Sequence, residues 1–187
     1  MAQANWQSDQ PTNLNYLSPV NFDLLIQKLP KTRYFCTGVN IPSINFSEAL
    51  MDTKLAIQSA LPGDKITFDP LTVKFVVDED MKNYQEIFNW IMALGPGSDT
   101  DDFRTLVGST KSTTGFDNRT GDYAEMYSDA TLIVNTSSNN ANIEFQFIYC
   151  FPTSLGAIEF ATDAVEVEYA ISDLTLRYTY FKLKVSS

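Results

Sequence analysis

The residues of this 187-residue chain best suited to chemistry are carboxylates. Asp78, Glu79 and Asp80 stand in a row, and Asp101 adjoins Asp102. Neighbouring carboxylates can share acid and base work when their surroundings separate their proton affinities. Asp99, Asp101 and Asp102, and again the run from Asp117 to Asp122, resemble fragments of calcium loops, but neither has the spacing that ends in a closing Glu. The chain has no histidine. That removes the commonest general base, the usual partner of a catalytic Ser or Cys and the commonest metal ligand. Cys36 and Cys150 each lie in an apolar, strand-like run and read either as two free buried thiols or as a disulfide. Asn118-Arg119-Thr120 spells a glycosylation acceptor with no secretion signal to give it meaning. No Gly-rich phosphate loop is present, and the acidic residues have plain roles as a helix cap and as a polar loop. The chain therefore reads as a non-enzyme with no cofactor and no metal.

Charge narrows the partners. The formal charge is −10, against stable grip on nucleic-acid phosphates or anionic membranes, both of which need clustered Lys and Arg. It does not exclude a surface that nucleic acid slides past. The first ten residues have neither a basic segment nor an apolar run, and no stretch approaches the ~20 apolar residues of a membrane span. A soluble protein made in a cytoplasm is expected.

The elements that position these residues are mostly strands. Leu71, Val73, Phe75 and Val77 alternate with Thr72, Lys74 and Val76, the period of a half-buried strand. A helix follows, with Met81, Tyr84, Ile87, Phe88, Ile91 and Leu94 on one side and Lys82, Gln85, Glu86 and Asn89 on the other. Asp78 or Asp80 can cap its first turn, Lys82 can pair with Glu86, and Gly95-Pro96-Gly97 stops it. Upstream, Phe22, Leu24 and Ile26 mark a strand that the period pairs as a hairpin with Tyr34 to Val39. Downstream, 130–136 and 143–151 flank a Ser/Asn turn and form a second hairpin. Residues 165–180 form one bent strand or two, with a kink near Ser172-Asp173. The expected fold is mainly β, an antiparallel sandwich-barrel of about seven or eight strands with one flanking helix. It forms a single domain over 19–187, preceded by a flexible arm at 1–18.

Two excursions leave that domain. Residues 43–67 read as an extended arm, with strands at Ile44 to Phe46 and Lys65 to Phe68 and a turn at Pro62-Gly63-Asp64. The arm carries Ile44, Phe46, Leu50, Met51, Leu55, Ile57 and Leu61 with few charges. So much apolar surface packs either on another subunit or over one end of its own barrel. Residues 95–128 are polar with isolated apolars and read as an insertion exposed on an edge or ordered by a neighbour.

The order of these pieces resembles the tail tube proteins of contractile-tailed bacteriophages. Asn21 to Ile26, Tyr34 to Cys36 and Ile41-Pro42 are similar to that family's opening strands. Leu61 to Lys65 with Phe68 and Leu71 to Val77 resemble its Gly-Asp turn and following strand. Asp78-Glu79 through Tyr84, Phe88 and Trp90 resemble its helix, and Phe151-Pro152-Thr153 with Leu155 and the stretch to Tyr180 resemble its closing strand. The match spans roughly 19–94 and 130–183. The resemblance implies hexameric rings stacked into a hollow tube, subunits joined edge to edge, and DNA and a tape measure protein passing through the lumen. It implies the tail sheath and baseplate hub as partners and the virion tail as location. The repeating tube subunit is the expected role. A baseplate hub, tube-initiator or terminator ring is the alternative, and a glycan- or receptor-binding β module on the phage surface a second. Glu166 and Glu168 would line the lumen or form an ordinary solvated face.

Overall fold

The computed structural model describes residues 15–17, 19–52, 58–95, 126–136, 140–160 and 169–185. Glu166, Glu168, Leu55, Ile57 and the acidic runs of 99–122 lie outside them. Among the described residues, nine strands and two helices follow as β1 (Phe22–Ile26), α1 (Thr32–Phe35), β2 (Cys36–Val39), β3 (Ile44–Asp52), β4 (Gln58–Phe68), β5 (Leu71–Val76), α2 (Lys82–Leu94), β6 (Ser128–Asn135), β7 (Ala141–Leu155), β8 (Ile171–Arg177) and β9 (Tyr180–Val185).

All strand pairs are antiparallel. One layer has the order β1-β6-β7-β9, and the other runs from the far half of β7 through β8 and β5 to β2. β7 belongs to both because it bends. Tyr149 takes the left-handed conformation, φ 57°, at the point where the register of β6 against β7 slips. A bulky residue there costs of order 1 kcal/mol. The amide freed by the bend is not orphaned, since Tyr149 N–H donates to Asp129 Oδ1 at 3.1 Å.

The core follows from alternation. Leu71, Val73 and Phe75 of β5, Leu174 and Leu176 of β8, Ala130 and Leu132 of β6 and Phe147 of β7 all point into the space between the layers and are almost fully buried. Cys150 is buried among them, and both cysteines are free thiols. Burial pushes the Cys150 thiol up to about 12 and raises that of Cys36 as well.

Several local expectations change in three dimensions. β1 and β2 do not form a hairpin: β1 pairs with β6 and β2 with β5. Between them Leu29 and Thr32 are buried, and Tyr34 and Phe35 lie in the one-turn helix α1, which carries the chain from one layer to the other. In the closing stretch β8 runs through Ser172-Asp173, where a kink was expected, and the chain breaks instead at Tyr178-Thr179 before β9; residues 165–168 lie outside the described residues.

The helix is where expected, with its face turned. Asn83, Ile87, Trp90 and Ala93 are buried, while Phe88, Met81 and Met92 are exposed. Trp90 sets that rotation, because its Nε1–H donates to the Met126 carbonyl at 3.2 Å and Lys28 Nζ lies 5.6 Å from its ring. Neither Asp78 nor Asp80 caps α2. The N-cap position is Met81, in a left-handed conformation and without a side-chain cap. Asn83 does the joining. Its Nδ2 donates to the Val76 carbonyl at 2.9 Å, and its Oδ1 accepts from the amides of Asp78 at 3.2 Å and Tyr84 at 2.8 Å. Asp80 is drawn away by Lys82, and Glu86 pairs with Lys31 instead of Lys82. Replacing Asn83 with Ala is expected to cost about 1–3 kcal/mol by stranding a buried carbonyl and amide. Asp78→Ala should leave the urea midpoint unchanged, and equal losses for the two variants would contradict this assignment.

Candidate assembly surface

β3 and β4 build a long hairpin that stands off the body. Among the described residues they pair only with one another, in a two-stranded sheet apart from the main layers. Register decides which side chains share a face. Ile44 lies opposite Phe68, Phe46 opposite Ile66 and Leu50 opposite Ala60, all on one side. That side is open to solvent, with Ile44 57%, Phe46 56%, Leu50 60% and Ile66 57% exposed; it is mostly apolar, and exposed Glu48, opposite Pro62, interrupts it between Phe46 and Leu50. Met51 and Leu61 are also exposed, on the opposite side among Asn45, Ser59 and Thr67. A two-stranded ribbon with a bare apolar face is marginal alone in water.

Pro62-Gly63-Asp64 is not the hairpin's turn. It is an irregularity inside β4, where the register slips between Phe46 and Glu48. Ser47 fills the slip: its hydroxyl accepts from the Lys65 amide at 3.0 Å. A Cβ on Gly63 would sit 2.6 Å from the Ser47 carbonyl oxygen and closer still to its hydroxyl. Only glycine lets the strands approach so closely there.

The root of the hairpin is held by Asp69. Its amide donates to the Ser43 carbonyl at 3.1 Å, and its carboxylate accepts from the Ser43 hydroxyl and, at 3.4 Å, from Asn45 Nδ2. Its carbonyl accepts from the Tyr178 hydroxyl at 2.9 Å, while Arg177 Nη1 donates to the Phe68 carbonyl at 3.3 Å. Phe68 then packs its ring 5.5 Å from Phe181 and 5.9 Å from Tyr178, and both of these touch Phe147 in the core. The hairpin's apolar face thus begins at a core aromatic cluster and runs outward.

The same cluster opens onto β9. Phe181, Leu183 and Val185 lie opposite Phe147, Phe145 and Ile143, on the face that elsewhere is core. Yet Leu183 is 55% and Val185 61% exposed. Among the described residues β9 pairs only with β7 and β1 only with β6, so each leaves one edge of its layer open. Tyr16, Leu17 and Val20, just ahead of β1, are exposed as well.

The sequence picked out Ile44, Phe46, Leu50, Met51 and Leu61 as interface residues, and the structure brings all five onto the exposed hairpin. It did not pick out Ile66, Leu183 and Val185. The alternation of Leu183 and Val185 with Lys182 and Lys184 was a strand signal, but nothing local told which face would go uncovered. No group of three or more His, Cys, Asp or Glu able to hold a metal occurs among the described residues.

Burial pushes the Tyr178 phenol from its ordinary 10.0 up to about 12. A raised folded value makes its contribution complete below the unfolded pKa and lost as pH climbs to the folded one. Stability should therefore fall between about pH 10 and 12, and Tyr178→Phe should flatten that decline in alkaline denaturation curves. Asp69→Ala and Gly63→Val are each expected to loosen the hairpin, read as faster cleavage within 44–68 by a dilute protease while the body stays resistant. Unchanged cleavage would contradict the rigid root.

A family model described as phage tail tube protein matches residues 21–184. The tail tube terminator protein of Enterobacteria phage T4 is 24% identical over 124 residues, which is 66% of this chain and 60% of that protein. The chain thus matches about three fifths of that relative's length. In fold it is similar to the tube-terminating cap of the anti-feeding prophage, with TM-score 0.57, 14% identity and 100% of both chains covered. It is also similar to the sheath/tube terminator of the PVC extracellular contractile injection system, with TM-score 0.52, 16% identity, 92% of this chain and 100% of that one. With nearly the whole described body inside the family match, this chain belongs to the phage tail tube protein family and is a structural component of a viral tail, not an enzyme.

Proposed function

We propose that this chain forms the ring that terminates a contractile tail tube, with six copies joined around a lumen. The observation that carries the terminal position is the relationship to the T4 tube terminator. The sheet geometry supports a ring. Along β1-β6-β7-β9 the strand directions alternate, so β9 of one copy set beside β1 of the next continues an antiparallel ladder. Each copy then contributes four strands to one sheet, and the head-to-tail contact closes when the rotation per copy closes. The other layer is less suited. β2 has four residues and an irregular register, and the far end of β7 carries Pro152, which has no N–H to offer.

In that ring the hairpin's exposed apolar residues cover the neighbouring copy; Leu55 and Ile57, outside the described residues, are candidates for the same contact. The solvent face of the four-stranded layer turns to the lumen, through which duplex DNA and the tape measure protein pass. Glu166 and Glu168 stay candidates for the same wall. The tail sheath meets the outer surface, and the baseplate hub belongs to the far end of the tube.

A second reading, the repeating tube subunit, is favoured by the description of the family itself. The two differ in growth. Light scattering and negative-stain images should show rings of six copies of a 21.0 kDa chain. Rings that stay single mark a terminator, and rings that extend into tubes mark a tube subunit. A monomer at every concentration overturns both. Phe46→Asp with Ile66→Asp should abolish rings while leaving the monomer's circular dichroism intact. Rings that survive this change would remove the hairpin from the interface.

A further inference from the structure

The chain is strongly acidic, but the solvent face of its four-stranded layer is not. The charged side chains there are Asp23 on β1, Asp129 on β6, Glu144 on β7, and Lys182 and Lys184 on β9, with Arg33 reaching in from α1. Among the described residues of this layer, three carboxylates meet three cations.

Each carboxylate already has a partner. Arg33 forks onto Asp23, with Nε 2.9 Å from Oδ1 and Nη2 2.5 Å from Oδ2. Asp129 accepts the Tyr149 amide at 3.1 Å, and Glu144 accepts Gln146 Nε2 at 2.7 Å. The two ammonium groups are different: Lys184 stands opposite Glu144 and Lys182 opposite Gln146 in the register, without closing onto either. Among the described residues the ion pairs are Lys31–Glu86, Arg33–Asp23 and Lys82–Asp80, and neither Lys182 nor Lys184 enters one. Lys182 lies 5.7 Å from the ring of Tyr180, the next residue on the same strand face. Tyr180, Lys182 and Lys184 thus form an exposed strip of two cations and an aromatic ring along an edge strand.

We infer that this strip contacts the phosphates of nucleic acid, so that the ring holds DNA by its backbone rather than repelling it. The inference rests on the ring reading for the strip's place in the lumen, where six copies would set twelve lysines around the path. Duplex DNA carries one negative charge per ~1.7 Å of axis, and lysines that neutralise it release counterions without reading sequence. An acidic protein segment is the competing polyanion. It lacks the dense, regular charge that a ring of strips spaced around an axis can engage all round.

The test measures binding of a fluorescent duplex to the purified full chain by anisotropy, across a salt series, with assembly followed by light scattering. Wild-type rings should bind at about 50 mM salt and release as salt rises. Lys182→Gln with Lys184→Gln should leave rings intact and weaken binding. The slope of log affinity against log salt should fall by about 0.9 for each phosphate that the variant no longer neutralises. Lys74→Gln, an exposed lysine on the other layer, should change nothing. No binding at low salt, or binding indifferent to the double substitution, overturns the inference. Polyglutamate that competes as well as unlabelled DNA at equal charge overturns the choice of nucleic acid. Lysine-dependent binding by a chain that never forms rings supports the strip and rejects the ring.

Discussion

A strand at the border of a sheet holds a row of amide and carbonyl groups that its own chain does not pair, and water is the only partner a monomer can offer them. Proteins that stay single blunt such borders with prolines, charges or a covering loop. Here β9 is six residues long and has no proline; its lysines, Lys182 and Lys184, stand on one face, while two aliphatic side chains on the other continue the core face into solvent. The opposite border, β1, is regular along all five of its residues against β6. These two edges belong to one layer and run in opposite directions. That combination makes one copy's end the complement of another copy's beginning.

The hairpin obeys the same constraint by other means. Its backbone groups pair within the ribbon, so what it leaves uncovered is apolar area rather than hydrogen bonds. A loose ribbon would lose much of the benefit of burial to the entropy of ordering it. The Asp69 network and the Phe68 ring limit that loss by holding the base in place before any partner arrives. Gly63 and Ser47 fix the shape further out. The structure thus presents a preorganised face, in keeping with a protein whose role is assembly.

Much of this was legible in the residues. The alternation in Leu71 to Phe75 located β5, and the Ser/Asn turn after residue 136 located the β6–β7 hairpin. The exposed residues of the hairpin were visible as Ile44, Phe46, Leu50, Met51 and Leu61 in a stretch with few charges. What failed was pairing. Phe22 to Ile26 and Tyr34 to Val39 looked like neighbours because they are close in sequence, but buried Leu29 and Thr32 send the chain across the core. The helix cap failed for a related reason. Asp78 and Asp80 have the right chemistry and spacing, but Asn83 reaches back to Val76 and fixes the entry first. Net charge hides a further sorting: the chain is acidic overall, yet Lys182 and Lys184 share one face of β9. Period and composition report which face is apolar. They do not report which element will cover it.

The most direct test of the claim that copies complete one another's sheets is amide hydrogen exchange on the assembled particle and on the dilute chain. The account predicts that the amides of β1 and β9 exchange rapidly in the dilute chain and become protected on assembly, while those of β5 and β6 stay protected in both. Amides of β1 and β9 that exchange equally fast in both states would contradict it.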